Sequence, residues 1–98
     1  MALVLVSHDP RTGLAVADRS PGTQVVLLDG AAAAARATHP LADRIRQVLA
    51  GDTVVVVHDE AAVRRGIAAG DLVDGVKTVD LDEIADLVTD APGAVMWL

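Results

Sequence analysis

The sequence is 98 residues long with a mass of 10.1 kDa, room for one small domain over residues 1–98 and no second. Fourteen acidic against eight basic side chains give a formal charge of −6, which excludes the basic footprint of a nucleic-acid-binding module; with Trp97 its sole aromatic residue, the chain also has no platform for stacking bases. It contains no cysteine, so a disulfide scaffold, a thiolate metal site and any nucleophilic or redox step on its own sulfur are excluded.

The first predicted element is a strand over Leu3 to Val6. Asp9-Pro10 then reads as an N-cap with proline at the first helical position, opening a helix that runs to about Asp18. Ser20-Pro21-Gly22 breaks it, and Gln24 to Leu28 is the second strand. Asp29-Gly30 leads into the run Ala31 to Ala35, read as a helix or a tight surface segment whose small side chains could admit another backbone. A helix restarts at Thr38-His39-Pro40 and ends at Ala50-Gly51, with Leu41, Ile45, Val48 and Leu49 on one face. Thr53 to Val57 is the third strand. His58-Asp59 caps the helix that follows, with Val63 and Ile67 inward and Arg64-Arg65 on a solvated face. Val76 to Val79 is the fourth strand. Asp80 with Glu83 three residues on resembles a capping box, and Ile84, Leu87 and Val88 form the apolar stripe of the last helix. Pro92-Gly93 turns into a fifth strand, Ala94 to Trp97.

The strand runs are nearly continuous in apolar character, which suits strands buried on both faces. Their alternation with helices predicts a three-layer α/β/α sandwich around a five-stranded, mainly parallel sheet with right-handed crossovers. No linker or 20–50-residue repeat divides it. The opening run has no basic flank and stops at Ser7, too short for a signal peptide, and Asp29 interrupts the longest candidate membrane span. A soluble, cytoplasmic protein without membrane contact is expected.

Ligands of open parallel sheets gather outside the carboxyl ends of the strands. Those ends carry Ser7-His8-Asp9, Asp29-Gly30 and His58-Asp59-Glu60. Were the first and third strands neighbours, two His-Asp pairs would face one crevice, and imidazole with carboxylate suits acid–base work or a metal. Against this stands a local explanation, in which each Asp caps a helix and each His fills a loop. Neither pair has the spacing of a metal motif, so no metal, cofactor or catalytic residue is expected, and an enzyme is disfavoured without being excluded. Val6-Ser7-His8 superficially resembles the reactive-histidine segment of some phosphotransferase domains. Pro10-Arg11-Thr12-Gly13 lacks the glycine and lysine pattern of a P-loop, and Asp9 beside it would repel an anion. At the other end, Met96-Trp97-Leu98 either caps the core at the sheet edge or anchors an interface, where tryptophan is enriched.

In their order and spacing, several segments resemble the DsrE/DsrH-like superfamily, and within it the DsrH/TusB branch. They are Leu5-Val6-Ser7-His8-Asp9-Pro10, Val26-Leu27-Leu28-Asp29-Gly30-Ala31, the run from Asp59 to Ile67, Gly75-Val76-Lys77-Thr78-Val79-Asp80 and the ending Ala94-Val95-Met96-Trp97. The resemblance spans essentially the whole chain. It implies a subunit of a sulfur-relay hetero-oligomer, assembled with DsrE-like and DsrF-like (TusD/TusC-like) sisters, that passes persulfide sulfur toward tRNA 2-thiouridine or serves sulfur oxidation. In that family a cysteine, normally on the DsrE-like sister, carries the sulfur. This chain departs from the pattern by having none, which leaves it a structural or docking role with Met96, Trp97 and Leu98 as interface. The alternative from a different class is a small ligand- or metal-binding domain using Ser7, His8, Asp9, Asp29, Gly30, His58 and Asp59. A self-associating protein without chemistry is a third.

Overall fold

The computed structural model describes residues 2–91 and 93–98. Five strands, β1 (Leu3–Val6), β2 (Gln24–Leu27), β3 (Val54–His58), β4 (Lys77–Val79) and β5 (Val95–Trp97), make one sheet in the order β4-β3-β2-β1-β5. Every neighbouring pair is parallel, with Leu3 opposite Gln24 and Val95, and Val57 opposite Leu27 and Thr78. Side chains alternate across the pleat. Val4, Val6, Val25, Leu27, Val55 and Val57 point to one face, and Leu3, Leu5, Val26, Val56 and Val79 to the other. Both sets are buried, which is why the strand sequences are almost unbroken runs of valine and leucine.

The strand order decides where the helices go. From β1 to β4 the chain steps across the sheet in one direction, so right-handed crossovers place α1 (Pro10–Arg19), α2 (Ala42–Ala50) and α3 (Asp59–Arg64) on one face. The return from β4 to β5, beyond β1, runs the opposite way and puts α4 (Leu81–Asp90) alone on the other. The two cores record this division. Leu14, Ala17, Ile45, Val48, Ala61 and Ala62 pack on the front, whereas Ile84, with half-buried Leu87 and Ala91, packs on the back.

Local chemistry sets the helix ends. The Asp9 carboxylate accepts the Thr12 amide at 3.2 Å, and Pro10 follows at the first helical position. At α4 the capping box is complete: Glu83 N donates to Asp80 Oδ1 at 2.8 Å, and Asp80 N donates to Glu83 Oε1 at 3.3 Å.

Five expectations are corrected. The alanine run is helical and not a surface segment: residues Asp29–Ala35 form a 3-10 helix whose Ala31, Ala32, Ala34 and Ala35 are buried in the front core. Asp29 enters it with φ +46°, a left-handed conformation that aspartate tolerates better than most side chains. The second helix begins at Ala42, not at His39-Pro40; His39 Nδ1 instead accepts the Leu41 amide at 3.0 Å just ahead of it. Val63 is 73% exposed, because α3 lasts only six residues and turns Ala61 and Ala62 toward the sheet. Ile67 is buried, yet from the segment after the helix. Val88 is likewise exposed, since the seat of α4 is filled by Ile84, Leu87 and Ala91. Finally, the third strand is shifted by one residue and takes in His58. Of the turn expected at Pro92-Gly93, Pro92 lies outside the described residues, as does Met1.

Candidate functional site

The carboxyl edge of the sheet collects most of the residues singled out by sequence, but it does not assemble them as one group. β2 lies between β1 and β3, so the two His-Asp pairs sit two strand spacings apart, about 10 Å, and share no crevice. His8 and Asp9 lie on the exposed turn into α1. Both Asp9 oxygens are engaged by Thr12, whose hydroxyl donates to Oδ2 at 2.6 Å and whose amide donates to Oδ1. That hydroxyl bond first, and the amide bond second, hold the Asp9 carboxyl below its ordinary range. The residue is a cap, each of its carboxylate oxygens accepting one bond from Thr12.

This predicts a pH dependence. A carboxyl lowered in the folded state stabilises above its unfolded pKa of about 3.9, and the contribution disappears as pH falls through the lower folded value. Asn caps equally well and does not titrate. Urea midpoints recorded from pH 5 to pH 2.5 are therefore expected to fall less steeply for Asp9→Asn than for the parent chain, and identical slopes would refute the assignment.

His58, the last residue of β3, points to the back face, where its register partner is Val79. Its side chain is 18% exposed, and Nε2 stands 3.7 Å from Asp59 Oδ1. Asp59 is not the cap of α3 but its first residue, and its Oδ1 also accepts the Glu60 amide. Asp29 and Gly30 occupy the turn after β2, exposed to solvent. A Cβ on Gly30 would lie 3.6 Å from a guanidinium nitrogen of Arg65 and 3.7 Å from the Ser7 carbonyl, ordinary contacts that leave the glycine unforced. Among the described residues, no three His, Asp or Glu side chains form a group that could hold a metal.

Another arrangement at this edge joins β1 to β5. Ser7 is buried at 2%, and its hydroxyl accepts the Trp97 indole N–H at 2.8 Å. The Leu98 carbonyl accepts the amides of Ser7 and His8, and Leu98 itself packs against the front core. Trp97 is thus fixed by its nitrogen while the residue stays 68% exposed. The ring covers Ser7 and presents most of its surface outward. Met96 and Val95 beside it are also exposed, and among the described residues β5 has no partner on its outer side. The sequence placed Val95 in the fifth strand but not with Met96, Trp97 and Leu98 as interface.

A second feature went unseen in the sequence. A groove of about 390 Å³ runs under α4 on the back face, floored by strand valines and walled by helix carboxylates. Its signal was available: α4 carries four acidic residues and no basic one.

The architecture as a whole, five parallel strands with helices on both faces, is a DsrE-like fold. Among solved structures the chain is similar to the ychN protein of E. coli, with a TM-score of 0.80, 20% identity, and coverage of 100% of this chain and 99% of that one. It is also similar to MTH1491, a protein of unknown function from Methanobacterium thermoautotrophicum, with a TM-score of 0.78, 13% identity, and coverage of 99% and 96%. No protein-family model and no curated protein matches the sequence. Among the described residues no helix is long and apolar enough to cross a membrane.

Proposed function

We propose that the chain is a non-catalytic, DsrH/TusB-like subunit of a sulfur-relay hetero-oligomer, in which a cysteine-bearing DsrE-like sister carries the persulfide and this subunit positions it. The observation that carries the reading is the outer edge of β5. Val95, Met96 and Trp97 are 45%, 40% and 68% exposed on a strand that has one side unpaired among the described residues. An edge strand without charge, proline or bulge is a ready template for another chain. The opposite edge, β4, carries the exposed Lys77. A tryptophan held by a buried hydroxyl is also ordered in advance, which lowers the entropy lost on association. The DsrE-like fold is compatible with this role, and a chain without cysteine leaves the sulfur to a partner that has one.

The test is affinity capture of the tagged chain from its own cells, read by native mass spectrometry. The proposal expects a DsrE-like, cysteine-containing partner at fixed stoichiometry; recovery of copies of this chain alone would overturn it. Trp97→Ala is expected to abolish that recovery while the circular dichroism and monomeric melting stay close to those of the parent, because the ring is mostly outside the core. Ser7→Ala, which frees the indole from its anchor, should weaken recovery by a smaller factor. Full assembly by Trp97→Ala would place the interface elsewhere.

A further inference from the structure

Pairing at β5 alone is too small to hold two chains together. Three strand residues make an edge about 10 Å long, whereas a specific interface buries about 800 Å² on each partner. Surface next to that edge has to be covered too, and the back face supplies it. In the sheet register Val95 lies beside Leu3 and Trp97 beside Leu5, so both side chains belong to the back face. α4 crosses this face antiparallel to the strands, from the carboxyl edge after β4 to the amino edge before β5.

The two flanks of α4 differ in chemistry. One carries Glu83, Asp86 and Asp90 and turns toward β3 and β4, since these three line the groove together with Val54, Val56 and Val79. The other carries Leu81, Ala85 and Val88, spaced i, i+4 and i+7 along one side of the helix, and therefore turns toward β1 and β5. All three are exposed, Leu81 at 68%. Leu81 stands at the carboxyl end of the sheet, as Trp97 does, and Val88 toward the amino end, as Val95 does. Between α4 and the last strand lies an apolar trough, continuous with the outer edge of β5. Contiguous exposed apolar surface with a polar rim marks contact with another chain.

Charge decides which chain. Residues 80–90 hold five of the fourteen carboxylates and none of the eight cations, −5 of the net −6. A second copy pairing its own β5 here would set its equally acidic α4 on the same face beside the first, and like charges across an interface are penalised. The occupant is a different chain, with cations beside its apolar contact residues. Its shape follows from the sheet. A chain that extends a parallel sheet by one strand carries a crossover helix on one face, and beside α4 that place is the trough. Building on the sister-subunit reading above, we propose that the sister lays an amphipathic helix with basic flanks in this trough, its apolar stripe on Leu81, Ala85, Val88, Val95 and Trp97.

The experiment measures affinity between the full-length chain and the cysteine-bearing sister captured with it. Leu81→Gln is expected to weaken the complex about tenfold, through lost apolar burial, and Val88→Lys about a hundredfold, through a cation set against the basic flank. Both positions are exposed and a cation in the last turn suits the α4 dipole, so melting of the chain by itself should stay close to the parent's. Val63→Gln, at a similarly exposed apolar position on α3, should leave the affinity unchanged. Asp82→Asn should weaken the complex by a smaller factor and flatten its salt dependence. Hydrogen exchange in the complex should gain protection on α4 and β5 here and on one helix of the sister. Undiminished affinity in Leu81→Gln and Val88→Lys, an unaltered salt dependence in Asp82→Asn, or protection confined to β5 and a sister strand would overturn the trough while leaving the subunit reading in place. Capture of no such sister would overturn both. A parent chain that dimerises by itself and loses the dimer in Val88→Lys would assign the trough to a second copy, against the proposal.

Discussion

Ile45→Ala is expected to cost about 4 kcal/mol, near the upper part of the ~2–5 kcal/mol range for such truncations. Ile45 is fully buried in the front core, and its surroundings explain the placement within the range. That core is made largely of valine and alanine, with Leu14, Leu27 and Ile45 its largest fully buried side chains. Alanine has no rotamer with which to reach into a void, and valine in a strand is stiff at χ1. The space therefore stays open, and the cavity adds to the lost transfer energy. Domains of this size are stable by roughly 5–15 kcal/mol, so the variant gives up about a quarter to four fifths of the total. Ile84→Ala, on the thinly covered back face, should cost less, about 2–3 kcal/mol, because the neighbouring groove gives α4 room to settle. Urea unfolding of both variants checks the order, and a larger loss at Ile84 would refute the two-layer account of the core.

Gly13→Ala is the second substitution with a large expected effect, and its sign is opposite to the usual one. In a helix interior, alanine replaces glycine with a gain of up to about 1 kcal/mol. Here a Cβ would stand 2.6 Å from Val6 Cγ2 and 3.7 Å from Val4 Cγ1. Val6 is fully buried between its strand neighbours, and its branched side chain has no free rotamer to yield. Either α1 lifts from the sheet or the valine is forced off its rotamer, and overpacking of this kind costs about 1–3 kcal/mol. Net destabilisation of about 1–2 kcal/mol is expected. The double variant Gly13→Ala with Val6→Ala should be less destabilised than the sum of the two, since the second change removes the atom that the first collides with. Additive effects would show that the helix simply moves aside.

What the sequence made legible is local chemistry and burial. Asp9-Pro10 and the Asp80–Glu83 pair announce their helix starts because caps act over three residues. The valine runs announce strands because burial on both faces leaves no polar positions. The relation between β1 and β3 is different. It depends on which strand lies between them, a contact made over tens of residues, and nothing near His8 or His58 encodes it. The shared-histidine site therefore failed for a topological reason, although both histidines lie at the edge expected of them. Val63 misled because periodicity assumed a helix longer than the six residues that form. The alanine run misled in the other direction, since small side chains that look like surface filler are what let a 3-10 segment lie close to β2 and β3. The back-face groove arises from a helix that is missing, and no residue spells out an absence.

The bond between Trp97 and Ser7 has a further, spectroscopic consequence. The sequence holds no other aromatic side chain, so its ultraviolet emission and near-ultraviolet dichroism come from this single indole. Its nitrogen is tied to a residue 90 positions away, across the β1–β5 pairing. Fluorescence of this protein consequently reports one event, the seating of the last strand beside the first. An unfolding curve followed by emission would track the fraying of that seam, while amide dichroism would track the remaining strands and helices. Where the two midpoints separate, the difference measures how much more easily β5 is released than the rest of the sheet melts.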